Sequence, residues 1–315
     1  ATSLEASQVW IVDKKVIQSV LSEHPDLYPA IIQRLAANLR MLVQLLEDLA
    51  FFQVTQRLAR LLLQESARPE RLKNIKQVKV HTPYGAPSSI PIMGQRDGVQ
   101  LVTIARHGEN HTIAPSRVNF RANIWAMKHV GVTHIFAVTA VGSLREEIKP
   151  GHLIFPDQFI DRTTRRIATF YEGQEVCHIP MADPFCDKLR TMLSKTAGTL
   201  GLDSHGCGTV ITIEGPRCAT RAESKMFRLW GADIINMSTV PEVVLAREAG
   251  ICYAAIAMST DYDCWHASEE PVSWELIQKT MQKNSENVKR LLRAAMKQVA
   301  FTDCTCRLAA ASSIL

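Results

Sequence analysis

The chain has no run of about eighteen apolar residues, so the sequence predicts no membrane-spanning helix. Its first residues, ATSLEASQVW, lack a basic start followed by an apolar stretch. No signal peptide is therefore expected, and the cytoplasm is the expected compartment. There is little excess charge: 36 Lys and Arg against 31 Asp and Glu leave +5 over 315 residues. That balance suits an anionic small molecule and does not argue for nucleic acid. No internal repeat or low-complexity tract stands out. Glycine is missing from residues 1–66, a stretch that reads as helical. Disulfide-framework spacing is missing too. Of the eight cysteines, Cys177, Cys186, Cys207, Cys218, Cys252 and Cys264 are scattered singly, as reduced thiols are. The exception is the C-x-C pair Cys304 and Cys306.

What is present divides into two unlike pieces. With 46% hydrophobic residues the chain can bury a large core. Residues 1–65 carry an apolar stripe at Ile32, Leu35, Leu39, Leu42, Leu45, Leu46 and Leu49, spaced for one face of a helix. A stripe of that length wants a partner helix. Residues 66–77 are polar and charged and read as a linker. From 78 to 315 short apolar strands alternate with helices, which predicts an α/β domain with a mixed sheet flanked by helices. Strands are expected at 101–105, 134–140, 210–214, 234–237 and 251–259. Helices are expected at 118–130, 187–200, 221–230, 240–249 and 273–299. Thr239, Pro241 and Glu242 are expected to start one of them with a capping box.

Polar residues collect where these strands should end, which is where open α/β sheets hold ligands. Arg106, His107 and His111 follow the first strand. Thr139 and Ala140 close the second, and Gly142 and Ser143 follow it. Met237 and Ser238 follow the fourth, and Asp261 and Asp263 the fifth. Asp261 and Asp263 stand two apart, so on a continuing strand they share a face. Neighbouring carboxylates raise each other's proton affinity, which suits one to donate a proton and the other to accept a hydrogen bond. No further oxygen ligands converge with them in the sequence, so no metal is expected there.

Taken together and in order, RHG, HTIAPSRVN, GSLREEIKPG, DQFIDRT, CHIPMADPF, EGPR, RAES, NMSTVPEVVLAREAGICYA and STDYDCW resemble the methylthioadenosine phosphorylase branch of the purine nucleoside phosphorylases. The resemblance runs from about Val78 to Leu308. It implies phosphorolysis of 5′-methylthioadenosine, with phosphate as co-substrate and no metal or organic cofactor. It implies phosphate contacts from Arg106, His107, Thr139, Ala140 and Ser238. Asp261 and Asp263 would serve the adenine as catalytic groups, since 6-oxopurine relatives use Asn. Met237 would lie against the ribose. The 5′ group would meet Trp274, Ile277 and Gln278, with His178 supplied by a neighbouring subunit of a trimer or hexamer. Trp274 and Gln278 are larger or more polar than the small aliphatics usual at those positions.

Three departures accompany the resemblance. Nothing of the form G-x-I-G-G-[ST]-G, the family's phosphate-cradling loop, precedes Arg106. Cys218 stands after EGPR, where many relatives have an aromatic ring. The tail keeps Cys304 and Cys306, as some thermophilic relatives keep a redox-active C-x-C. Residues 1–64 instead resemble the C-terminal part of a cyclic-nucleotide-type regulator's effector domain. Neither that family's phosphate-binding cassette nor its helix-turn-helix is present, so no ligand or DNA binding is assigned to them. Two alternatives stay open at this point: a broader purine nucleoside phosphorylase, and a catalytically impaired phosphorylase-like scaffold subunit.

Overall fold

The computed structural model describes residues 73–266, 274–299, 304–309 and 313, with Glu23, His24 and Pro29 besides. The chain divides into two compact units, Ala1–Phe51 and Phe52–Leu315, and the second is described here. The stripe from Ile32 to Leu49 and the regulator-like stretch lie outside the described residues.

A strand whose neighbours bury both faces should be apolar at every position, without alternation. Cys252–Asp261 (β10) is such a strand, and residues 252–260 are all buried. Its even positions Cys252, Ala254, Ile256 and Met258 face one core. That core includes Leu189, Leu193 and Ala197 of helix Asp187–Thr199 (α2) and Val288, Leu291 and Ala295 of helix Trp274–Met296 (α5). The odd positions Ile251, Tyr253, Ala255 and Ala257 face a second core. There they meet Phe120 and Ile124 of helix Phe120–His129 (α1), and Val243, Leu245 and Ala246 of helix Thr239–Glu248 (α4). The two-residue periodicity thus sorts one strand's side chains into two helical layers.

Beside β10 runs the parallel strand His134–Ser143 (β4), in register from Cys252 opposite His134 to Ser259 opposite Val141, with a one-residue shift before Asp261 opposite Gly142. The remaining strands are Leu153–Ile154 (β5), Gln158–Arg162 (β6), Ser204–His205 (β7), Thr209–Ile213 (β8) and Ile234–Asn236 (β9). The mixed sheet has the order β6-β8-β9-β4-β10-β5-β7. Helix Arg221–Leu229 (α3) follows β8. It opens on a full capping box between Thr220 and Glu223, worth about 1 kcal/mol for the cap alone.

A smaller antiparallel sheet comprises Lys73–Gln77 (β1), Ile92–Arg96 (β2) and Val99–Thr103 (β3), in that order. β1 falls within the stretch read as a linker. Its five residues are all exposed, and a polar edge strand rich in Lys has the composition of a linker. No described strand joins β3 to β4. Between them lies a cavity of about 440 Å³, lined by residues 99–104 and 132–138, by Met127 of α1 and by Leu292 and Met296 of α5. Arg106 and Glu242 also line it. Among the described residues, no helix is long and apolar enough to cross a membrane.

Candidate active site

The C-terminal ends of β4, β9 and β10 bring most of the expected site residues together. Thr139, on β4, and Ser238, just past β9, share a hydrogen bond of 2.9 Å between their hydroxyls. Both side chains are buried, and Ala140 beside them is exposed. Asn236 organises this corner. Its Nδ2 donates to the hydroxyls of Thr239 at 2.7 Å and Thr139 at 3.4 Å. Its Oδ1 accepts from the Thr212 hydroxyl at 3.0 Å. Thr239 is therefore turned toward Asn236 and does not cap α4, whose N-cap Ser238 makes no capping bond. The expected capping box at Thr239–Glu242 is absent, because Glu242 has other partners.

Those partners are Arg106 and Tyr253. The guanidinium of Arg106 donates to Glu242 from Nε at 2.6 Å and from Nη2 at 2.7 Å. Its Nη1 donates to the Val138 carbonyl at 3.2 Å. The Tyr253 hydroxyl donates to Glu242 Oε1 at 2.9 Å. Burial opposes the charge on Arg106, but the Glu242 carboxylate outweighs it, and the guanidinium is held protonated more firmly than usual. A guanidinium carries five N–H groups, so these three bonds leave two for an anion.

His107 lies next in sequence, with its Nδ1 2.9 Å from the Ile113 carbonyl. A carbonyl only accepts, so Nδ1 carries the hydrogen and Nε2 is left as an acceptor. Burial first, and then the Arg106 charge, push His107 down to about 4. It is thus neutral at physiological pH. The His111 ring packs on it at 4.6 Å.

At the other end of the site lie Asp261 and Asp263, but β10 ends at Asp261 and Asp263 opens a 3-10 turn at φ +51°, so the two do not share a strand face as expected. Asp261 Oδ1 accepts from the Asp263 backbone N–H at 2.8 Å, and Asp261 Oδ2 accepts from the Thr260 hydroxyl at 2.6 Å. Asp263 Oδ2 is buried without a hydrogen-bond partner among the described residues. Burial raises Asp263 above the ordinary carboxylate range, and the Asp261 charge adds to the rise. Gly142 backs the pair. A Cβ there would stand 3.2 Å from Asp263 Cβ, 3.3 Å from Asp261 Oδ1 and 3.0 Å from Ile235 Cγ2. Met237 is half-buried against Gly215, where a Cβ would come 2.5 Å from the Met237 sulfur. Gly215 also has φ +63°, so both space and backbone require glycine there.

His178 is exposed, and its backbone N–H bonds to the Ser313 carbonyl at 2.9 Å. No described contact joins it to the residues above. Trp274, Ile277 and Gln278 fall in the first turns of α5, and their side chains lie outside the described residues. Sequence reasoning did not single out Asn236 or Tyr253, and it gave Glu242 a helix-capping role. An isolated Asn, Tyr or Glu carries no spacing signal of its own.

A phosphorylase superfamily model matches residues 65–297. The chain belongs to the phosphorylase superfamily. This phosphorylase is 54% identical over 240 residues to an S-methyl-5′-thioadenosine phosphorylase of Danio rerio, covering 75% of this chain and 86% of that one. A methylthioadenosine phosphorylase from an antarctic soil metagenomic library superposes with TM-score 0.74 at 39% identity, covering 78% and 87% of the two chains. The Schistosoma mansoni methylthioadenosine phosphorylase in complex with adenine gives 0.70 at 39%, covering 74% and 87%.

Proposed function

We propose that this phosphorylase cleaves 5′-methylthioadenosine with phosphate, giving adenine and 5-methylthioribose 1-phosphate. An oxygen of phosphate forms a bond to C1′ while the C1′–N9 bond breaks. The bonding electrons pass to the purine, which takes a proton at N7. The observation that carries this reading is the spacing of two unlike polar groups along one strand end. Thr139, joined to Ser238, and Gly142, packed on Asp261 and Asp263, stand three residues apart on β4. Three residues of strand span about 10 Å, a fitting distance from a phosphate nucleophile to the far edge of a purine.

Phosphate belongs with Arg106, His107, Thr139, Ala140 and Ser238. Two N–H groups of Arg106 and the hydroxyl proton not spent between Thr139 and Ser238 supply donors, and neutral His107 can accept from a phosphate hydroxyl. Met237, between the two groups, lies against the ribose. Asp261 and Asp263 take the base: a proton held by the pair goes to N7, and a carboxylate oxygen accepts from the 6-amino group. The family resemblance gives the 5′ group to Trp274, Ile277 and a neighbouring subunit's His178, and the exposure of His178 supports a homotrimer or a hexamer of trimers. Free thiols throughout the described residues support a cytoplasmic enzyme, and the two products suit purine and methionine salvage. No metal or organic cofactor enters this chemistry.

The test is adenine release from the full chain with and without phosphate, and kcat/KM for methylthioadenosine against inosine. A site built to pair the 6-amino group favours methylthioadenosine by up to about 10⁴-fold. Equal values would refute the base assignment, and phosphate-independent release would refute the reaction.

A further inference from the structure

Four thiols meet outside the substrate site. Cys186 is the N-cap of α2, Cys252 opens β10, and Cys304 and Cys306 belong to the C-terminal turn. Their sulfurs all lie within 4.8 Å of one another. Cys186 and Cys304 approach to 3.6 Å, and Cys304 and Cys306 to 3.4 Å. All four are free, and they are 2%, 0%, 8% and 6% exposed.

Packing alone accounts for a buried cysteine, since its side chain behaves as a small hydrophobe. It does not account for four that converge from three separate parts of the chain. Disulfides join sulfurs in pairs at about 2.05 Å, and no such bond is present among these four. A metal held by four sulfurs at about 2.3 Å places neighbouring sulfurs about 3.8 Å apart. These two approaches are within a few tenths of an ångström of that edge, and no pair is more than 4.8 Å apart. The slight exposure of Cys304 and Cys306 gives an ion a way in.

We propose that Cys186, Cys252, Cys304 and Cys306 form a tetrathiolate site for zinc(II). As the ion binds, the thiols lose their protons to solvent and four sulfur–zinc bonds form. With four protein ligands the site is closed, so its role is structural. It pins the C-terminal turn to the start of α2 and to the root of β10, the strand whose far end carries Asp261.

The test uses the full chain purified under reducing conditions without chelator. Elemental analysis gives one equivalent of zinc per chain. Replacing zinc by cobalt(II) gives the intense absorption of a tetrahedral thiolate complex. Cys306→Ser loses the zinc, Cys218→Ser at an exposed thiol retains it, and chelation lowers the melting temperature of the wild-type chain. Zinc-free protein with four titratable thiols overturns the proposal. So does a disulfide among the four found by mass spectrometry, or zinc that survives Cys306→Ser. Should Cys306→Ser fail to fold, the cobalt spectrum of the wild-type chain decides, because that absorption requires sulfur ligands.

Discussion

Arg106 and Glu242 form a two-pronged ion pair 136 residues apart in sequence, with both side chains about nine-tenths buried. The pair fixes the guanidinium proposed to meet phosphate, because a buried charge is held where its partner is. Glu242→Gln removes the countercharge and leaves Arg106 buried and uncompensated. The expected loss is about 3–5 kcal/mol of stability, read as a lower urea midpoint at unchanged slope. A loss below about 1 kcal/mol would mean the pair does not hold Arg106.

Asp263 binds its proton more tightly than an ordinary carboxylate, chiefly through burial. As the pH rises through that raised value the proton leaves, and with it the donor for N7. The expected profile of kcat/KM for methylthioadenosine therefore falls on its basic side, and Asp263→Asn removes that limb while lowering the plateau. Linkage has the same sign: the stability tied to this proton is present at low pH and lost as pH rises through the folded-state value. An unchanged basic limb in Asp263→Asn would take the titration away from this residue.

Gly142 leaves no room for a methyl group between Ile235 and the two aspartates. Gly142→Ala should displace the carboxylates by a few tenths of an ångström or more. Misplacement of that order costs up to about 10²-fold in kcat/KM. The melting temperature should move far less than activity. Comparable kcat/KM in the alanine variant would show that the pair tolerates repositioning.

The corner proposed for phosphate has hydroxyls and a guanidinium, and the sequence before Arg106 contains no G-x-I-G-G-[ST]-G loop. One preorganised donor is typically worth about 10²–10³ in rate. Turnover should therefore be slow and phosphate binding weak. Replacing residues 1–77 with a family-type first strand and its G-x-I-G-G-[ST]-G loop should raise kcat/KM for phosphate by at least about 10². Near-equal values in the two proteins would show that the loop is dispensable here.

The main strands and helices were legible because their residues repeat. β10 reads as a strand from its unbroken apolar run, and α2 as a helix from its spacing. Both came within two residues of their observed ends. The small strands were not legible: Leu153–Ile154 and Ser204–His205 are two residues long, too short for any period. Glu242 was misread because T-x-P-E satisfies a local capping rule, and tertiary partners 136 and 11 residues away overrode it. A true box stood unremarked at Thr220–Glu223. Asp261 and Asp263 were legible as two carboxylates in one motif. Cys186 and Cys252 were read as scattered thiols, since only the fold brings them to Cys304 and Cys306.

The open flank of β4 bears on the order in which the protein comes apart. Among the described residues β4 pairs with β9 only at Gly142 and Ser143, as β10 pairs with β5 only at Ala257 and Met258, and β4 borders the cavity along 132–138. No described strand pairs with residues 134–141 on that flank. Local opening starts where such support is thinnest. Warming should therefore loosen the Thr139 corner while the Asp261 end, where β9 pairs with Gly142, still keeps its shape. The molecule would lose its grip on phosphate before its recognition of adenine.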